Sequence, residues 1–170
     1  MRLSPFDDVI DEHGAVVMRV VRALLGPVDA DDAWAETFLA ALEAYPRLRP
    51  GSNVRGWLVT IAHRKALDHV RTAGRRAQPS AAVPDRGVLD DTGERVERDD
   101  ELWAALRALP FKQRAAVAYH HVGGLPYAEV ARLIDSTETA ARRAASDGIG
   151  RLRQTYPSGT SETRGPKGRA

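Results

Sequence analysis

With 170 residues, 43% of them hydrophobic and 28% charged, the chain suits one domain or two small ones and can bury a core. It has no cysteine, which excludes disulfides, thiolate nucleophiles and cysteine-based zinc sites together and fits a reducing compartment. Net charge is only +2, and the start, MRLSPFDDVIDEH, carries acids where an export signal would carry an apolar run. No apolar stretch approaches the roughly 20 residues that a bilayer crossing needs, so the expectation is a soluble, cytoplasmic protein with no membrane insertion.

Phe6, Val9, Ile10, His13, Val17, Val20, Val21 and Leu24 recur at three- and four-residue intervals, the pattern of an amphipathic helix that Gly26-Pro27 ends. A second helix is predicted from about Asp31 to Tyr45, with Trp34, Phe38, Leu39 and Leu42 on its apolar side and Pro46 as its stop. Its opening, DADDAWAETFLAAL, places Asp29, Asp31, Asp32 and Glu36 beside a bulky apolar stripe. Asp29 or Asp31 could be the N-cap, or the carboxylates could form an acidic face for a partner. After RPGSN at 49–53, a long helix carries Val54, Trp57, Leu58, Ile61, Ala62 and Val70. Three helices on a shared stripe make a small all-α domain.

Residues 74–98 lose all apolar period to Pro, Gly, Ala and charges, and read as a flexible linker. Periodicity resumes at Leu102, Trp103, Ala105, Leu106 and Leu109 and breaks at Pro110. A helix over about Lys112 to Val122 follows, ended by Gly123-Gly124. Then come a short helix at Pro126 to Ile134, a turn at Asp135 to Thr137, and a last helix to about Arg153. The tail, rich in Gly, Pro, Ser and Thr with basic residues, is expected to be disordered.

Charge is unevenly placed. The first 46 residues carry Asp7, Asp8, Asp11, Glu12, Asp29, Asp31, Asp32, Glu36 and Glu43 against Arg2, Arg19 and Arg22. From 47 to 76 the balance reverses: Arg47, Arg49, Arg55, Arg64, Lys65, Arg71, Arg75 and Arg76 are opposed only by Asp68. Such asymmetry implies two different partner surfaces within one domain, or one solvated face and one paired internally. Residues 126–153 have the layout of a DNA-reading helix-turn-helix: Pro126 at a helix start, small Ala131 for close crossing, Thr137 as N-cap, then Arg142 and Arg143. Arginine both reads guanine and clamps phosphate.

Three stretches together resemble one family. DADDAWAETFLAAL is similar to region 2.2, NVRGWLVTIAHRKALDHVRTAGRR to regions 2.3 and 2.4, and LRALPFKQRAAVAYHHVGGLPYAEVARLI to region 4 of the extracytoplasmic-function (ECF) group of bacterial sigma-70 factors. The resemblance spans about residues 6–153 in the expected order. It implies two all-α domains: a region 2-like bundle at 1–75 and a region 4-like helix-turn-helix at 99–154, with a linker at 76–98 and a basic tail at 155–170.

The implied function is promoter recognition and transcription initiation with core RNA polymerase. Asp29, Asp31, Asp32 and Glu36, with Trp34 or Phe38 as apolar contact, would dock on the β′ clamp helices, and the region 4 half would meet the β flap. Phe38 and Leu42 also read as core. Asn53, Arg55, Trp57, His63, Arg64, Arg71, Arg75 and Arg76 would meet the −10 element, Trp57 more by burial in the core than by stacking. Tyr127, Thr137, Thr139, Arg142, Arg143 and Ser146 would meet the −35 element. Promoter DNA and an anti-sigma factor complete the implied partners.

The chain departs from the family pattern at Ala35, where Gln is usual, at Val54, often Phe, and at Arg64, often Asn. Asp147 stands where a basic residue is usual, and Gly148 within a helix costs about 1 kcal/mol relative to alanine; an atypical −35 preference is expected. A stand-alone helix-turn-helix regulator and a degenerate sigma-like decoy are the rival readings. No catalytic residue, metal site or cofactor is expected: there is no Gly-rich phosphate loop and no H-E-x-x-H. His120 and His121 are adjacent and point to different faces, and His13 reads as a satisfied core histidine.

Overall fold

The structure, a computed structural model, describes residues 4–76 and 93–155. All regular elements among them are helical. Helix α1 is Phe6–Leu25, α2 is Pro27–Ala44 followed by a 3-10 turn at Tyr45–Arg47, and α3 is Val54–Arg76. Helix α4 is Gly93–Ala108, α5 is Phe111–Val117 continuing into a π-helical turn at Ala118–Val122, α6 is Tyr127–Leu133 and α7 is Glu138–Thr155. Residues 77–92 of the predicted linker and 156–170 of the predicted tail lie outside the described residues; 93–98, read as linker, belong to α4.

The α1–α2 corner shows how local chemistry fixes the chain. Gly26 takes φ +80°, its N–H closes on Arg22 O at 2.8 Å, and Pro27 starts α2 with the φ that a helix needs. The N-cap of α2 is therefore Gly26 rather than Asp29 or Asp31, which fall inside the helix. The buried face of α2 is Ala30, Ala33, Thr37, Phe38 and Ala41, mostly small residues that let α2 lie close to its neighbours.

The core of the first unit joins Val9, Val17, Val21, Phe38, Tyr45, Leu58 and Ala62. Phe6 meets Tyr45 edge-on at 5.2 Å, and Trp34 meets Phe38 at 4.6 Å between ring centroids. Tyr45 Oη donates to Ser4 O at 2.7 Å, which satisfies its buried polar tip.

In the second unit, α7 crosses α5 through small residues. A β-carbon on Gly148 would stand 2.8 Å from Val117 Cγ2 and 3.3 Å from Gln113 O. Gly148 is thus the contact point of two helices, where packing outweighs its low helix propensity. Thr137 caps α7, with its Oγ1 accepting from Ala140 N–H at 3.1 Å, and Asp135 takes φ 50° in the turn before it.

The two units share a second core. Val20, Ala23 and Leu24 of α1 and Val59 and Ala66 of α3 pack with Leu106, Leu109, Ala115, Ala116, Tyr119 and Leu125. Polar contacts reinforce it. Arg114 Nη1 donates to Leu24 O at 2.6 Å, at the carbonyl end of α1 where a cation is favoured. Arg107 lies against Gly26, so closely that a β-carbon there would stand 2.9 Å from its Cδ. Burial, then the neighbouring Arg107, lowers the pKa of Arg114.

Candidate nucleic-acid interface

Asn53 opens α3 as its cap, accepting on Oδ1 from Gly56 N–H at 3.1 Å. From that end, one face of α3 lines an open cavity of about 810 Å³ with Asn53, Trp57, Thr60, His63, Arg64 and Arg71; Glu129, Arg132 and Leu133 of α6 form the opposite wall. Of the predicted −10 residues, the cavity thus gathers Asn53, Trp57, His63, Arg64 and Arg71. Arg55 is elsewhere, on a smaller recess with Glu12, His13 and Gly124. Arg75 is exposed toward the end of α3, and Arg76 is its last residue. Trp57 is half-buried, 6.3 Å from Tyr45 and also on the cavity wall, so it serves core and cavity at once.

His63 is the buried member of this set. Its Nδ1 lies 2.5 Å from Tyr119 Oη, a contact between units in which the donor depends on the imidazole tautomer. Burial, then Arg64, then Arg71 lower its pKa. Burial raises that of Tyr119 above the usual phenol range, so the phenol keeps its proton. Arg64 is exposed, and Arg71 pairs loosely with Asp68 at 3.8 Å.

The acidic helix presents a different chemistry. Asp31, Asp32, Ala35, Leu39, Leu42 and Glu43 are exposed, with Leu39 at 64% and Leu42 at 51%. Asp29 is half-buried, and Glu36 reaches His69 of α3 at 3.4 Å. Phe38 is 5% exposed, and Trp34 lies on α1 with its indole N–H donating to Gly14 O at 2.9 Å. Phe38 is therefore core and Trp34 half-buried, while the large apolar residues that α2 exposes are Leu39 and Leu42, so Leu42 is not core. The pattern was available in the sequence, because the small residues Ala30, Ala33, Thr37 and Ala41 mark the buried side and leave both leucines off it. His13 is buried but its Nδ1 has no partner among the described residues, so it is not the satisfied histidine expected.

Thr137, Thr139, Arg142, Arg143 and Ser146 are all exposed at the start and along one side of α7. Arg142 is doubly oriented, by Glu138 at 3.0 Å and by the Tyr127 ring 4.7 Å below its guanidinium. Tyr127 in turn stacks on His120 at 3.8 Å, and His120 Nδ1 lies 2.8 Å from Leu125 O. Asp147 lies 3.9 Å from Arg143 and partly neutralises it. Among the described residues no cluster of His, Asp and Glu could hold a metal ion, and no helix is long and apolar enough to cross a membrane.

Comparison with known proteins decides the family. Residues 9–76 match Sigma-70 region 2, and residues 99–152 match Sigma-70, region 4. The chain belongs to the ECF group of the sigma-70 family. It is 31% identical to the ECF RNA polymerase sigma factor SigE of Mycolicibacterium smegmatis over 168 residues, covering 95% of this chain but 65% of that protein. It is 30% identical to the ECF RNA polymerase sigma factor SigM of Mycobacterium tuberculosis over 148 residues, 86% of this chain and 74% of that one. The fold is similar to the sigma factor RpoE of Bartonella quintana, solved with the anti-sigma factor NepR, with a TM-score of 0.71 at 21% identity over 91% of this chain and 98% of that one. In family terms, α1–α3 are region 2 and α4–α7 carry region 4.

Proposed function

We propose that the chain is a promoter-recognition subunit of bacterial RNA polymerase, acting in the cytoplasm while the polymerase supplies the catalysis. The observation that carries this reading is the ordered match to regions 2 and 4. Each unit has a surface of the chemistry its role needs. On α2, the exposed carboxylates Asp31, Asp32 and Glu43 would steer a basic partner helix, and Leu39 and Leu42 would anchor it. The partner is core polymerase at its β′ clamp helices, with the β flap meeting region 4.

On α3, the cationic cavity face would take the −10 strand. An unstacked base needs a flat apolar wall, which Trp57 offers, and its phosphates need cations, which Arg64, Arg71 and Arg75 supply. On α7, Arg142 and Arg143 would meet the −35 duplex, with Tyr127 and Glu138 fixing the direction of Arg142. Asp147, 3.9 Å from Arg143 on that face, would oppose phosphate and favour an atypical −35 preference. An anti-sigma factor is a further partner, supported by the complex of the RpoE relative.

The test compares the wild type with Asp31→Ala/Asp32→Ala/Leu39→Ala for binding to core polymerase, then reads transcripts from a genomic fragment library. Binding lost in the variant and transcripts from the wild type are expected. A folded wild type that binds no polymerase sinks this reading in favour of the stand-alone regulator. Binding without any transcript favours the decoy, whose support here is Asp147 alone now that Gly148 has a packing role.

A further inference from the structure

The aromatic contacts beside α7 do more than fill space. Helix α5 ends in the π-helical turn Ala118–Val122, where Gly123 N–H reaches back five residues to Ala118 O at 2.8 Å. Turns of this width are rare and recur at functional sites. This one carries His120, whose Nδ1 lies 2.8 Å from Leu125 O in the loop before α6. A carbonyl oxygen can only accept, so Nδ1 carries a proton and the bond fixes the ring plane. That ring stacks on Tyr127 of α6, with centroids 3.8 Å apart and planes 20° from parallel. The guanidinium of Arg142 lies over the same tyrosine at 4.7 Å and pairs with Glu138 at 3.0 Å.

The two restraints on Arg142 differ in kind. Glu138 stands one turn back on α7 itself, so it orients the guanidinium only relative to its own helix. Tyr127 stands on α6 and His120 at the end of α5, so they fix where the guanidinium points in the unit as a whole. Arg142 is exposed while both rings are half-buried, which sets the platform in the fold and leaves the cation facing solvent. An unrestrained arginine would lose much side-chain entropy on settling at a base edge, and a stacked one has less left to lose.

We propose that His120 is a positioning residue for −35 recognition: through Tyr127 it sets the direction of Arg142, and so the base pair that Arg142 reads. This rests on the reading of α7 as the −35 surface.

The test uses the full chain with core polymerase and a promoter library randomised over the −35 element, with transcripts counted for each sequence. Arg142→Ala is expected to flatten the base preference at one −35 position by about tenfold or more, the discrimination that a well-placed arginine gives. His120→Ala should flatten the same position by about two- to fivefold, the worth of an exposed cation–π contact, and leave the other positions unchanged. His120→Phe keeps a flat ring and should restore most of the preference. His120→Asn keeps a donor without a ring and should not. A wild-type preference in His120→Ala overturns the proposal and leaves the −35 reading intact. So does a loss spread evenly over all positions, or one that His120→Phe fails to restore, because either makes His120 a residue of the fold alone. If Arg142→Ala leaves every −35 preference as in the wild type, the reading of α7 fails and the proposal with it.

Discussion

Helices α2 and α3 lie side by side in one three-helix unit, yet they treat their proposed partners in opposite ways. The α2 face is displayed, with Leu39 and Leu42 more than half exposed among carboxylates. The α3 face looks into an open cavity whose opposite wall is α6, with His63 buried against Tyr119. The difference teaches what each surface asks of a partner. A partner could dock on the exposed part of α2 without meeting the second unit, whereas a partner of the α3 face would meet Glu129, Arg132 and Leu133 of that unit in the same cavity. Leu39 and Leu42 together make an apolar patch of the kind that marks a docking surface, whereas the α3 cavity sets its arginines across from a carboxylate, Glu129.

The comparison is broken most severely at the boundary between face and core. Phe38→Ala is expected to destabilise the fold by about 3–5 kcal/mol, because a buried ring is lost from a packed aromatic group. Leu39→Ala, one residue on, should change stability by less than about 0.5 kcal/mol. Together with Asp31→Ala and Asp32→Ala, it should weaken polymerase binding by about 2 kcal/mol or more, as the loss of a central anchor does. Thermal melting and polymerase titration separate the two. If Leu39→Ala melts like Phe38→Ala, α2 has no displayed face and the contrast with α3 disappears.

A smaller effect tests the second unit. Gly148→Ala adds a methyl group 2.8 Å from Val117 Cγ2 and 3.3 Å from a backbone oxygen. Overpacking of this kind costs about 1–3 kcal/mol, against a gain of about 1 kcal/mol in helix propensity. A net loss of stability is expected, together with weaker shielding of the junction between α5 and α7 in amide exchange. A more stable Gly148→Ala protein would mean that α7 has room to spare, and would return Gly148 to the evidence for a degenerate recognition helix.

How far the sequence foretold this depends on the range of the interaction. Helices were legible because apolar spacing and the Gly and Pro stops are local: Gly26-Pro27, Pro46, Pro110 and Gly123-Gly124 each fall at or beside an element boundary. The region 2 and region 4 match was legible for the same reason. The N-cap of α2 was misassigned because Pro27 moved the helix start upstream of the acids. Trp34 and Phe38 were offered as contacts because they are large, while the informative residues were the small ones behind them. Gly148 was weighed by propensity alone, and its helix neighbour Val117 lies 31 positions away in the sequence. Least legible was the junction between the two units. His63 and Tyr119 are 56 residues apart, and Leu24 and Arg114 are 90 apart; no periodicity encodes either pair.

The finest test of the contrast is acidity, which should act on the α3 face, where His63 meets Tyr119 of the second unit, and not on the displayed one. With the two units docked His63 has its pKa lowered, first by burial and then by Arg64 and Arg71. Released into water, the imidazole returns toward its ordinary value of about 6.5. Between those two values the chain with its units apart binds more protons than the chain with them docked, so docking is fully supported above about 6.5 and weakens as pH falls through that value toward the lowered one. Tyr119 contributes nothing in this range, because its phenol stays protonated. Burial and His120 also lower the pKa of His121, so global melting mixes two histidines of the same sign. A pair of dyes on Thr72→Cys of α3 and Ala128→Cys of α6, both exposed positions in a chain with no cysteine, isolates the one that matters, because their distance reports the docking of the two units. It should lengthen on acidification in the wild type and lose that response in His63→Asn, in which no group titrates at this position. A response that survives the substitution, or a chain that tightens as acid is added, would place the pH-sensitive fastening elsewhere and leave His63 as a packing residue.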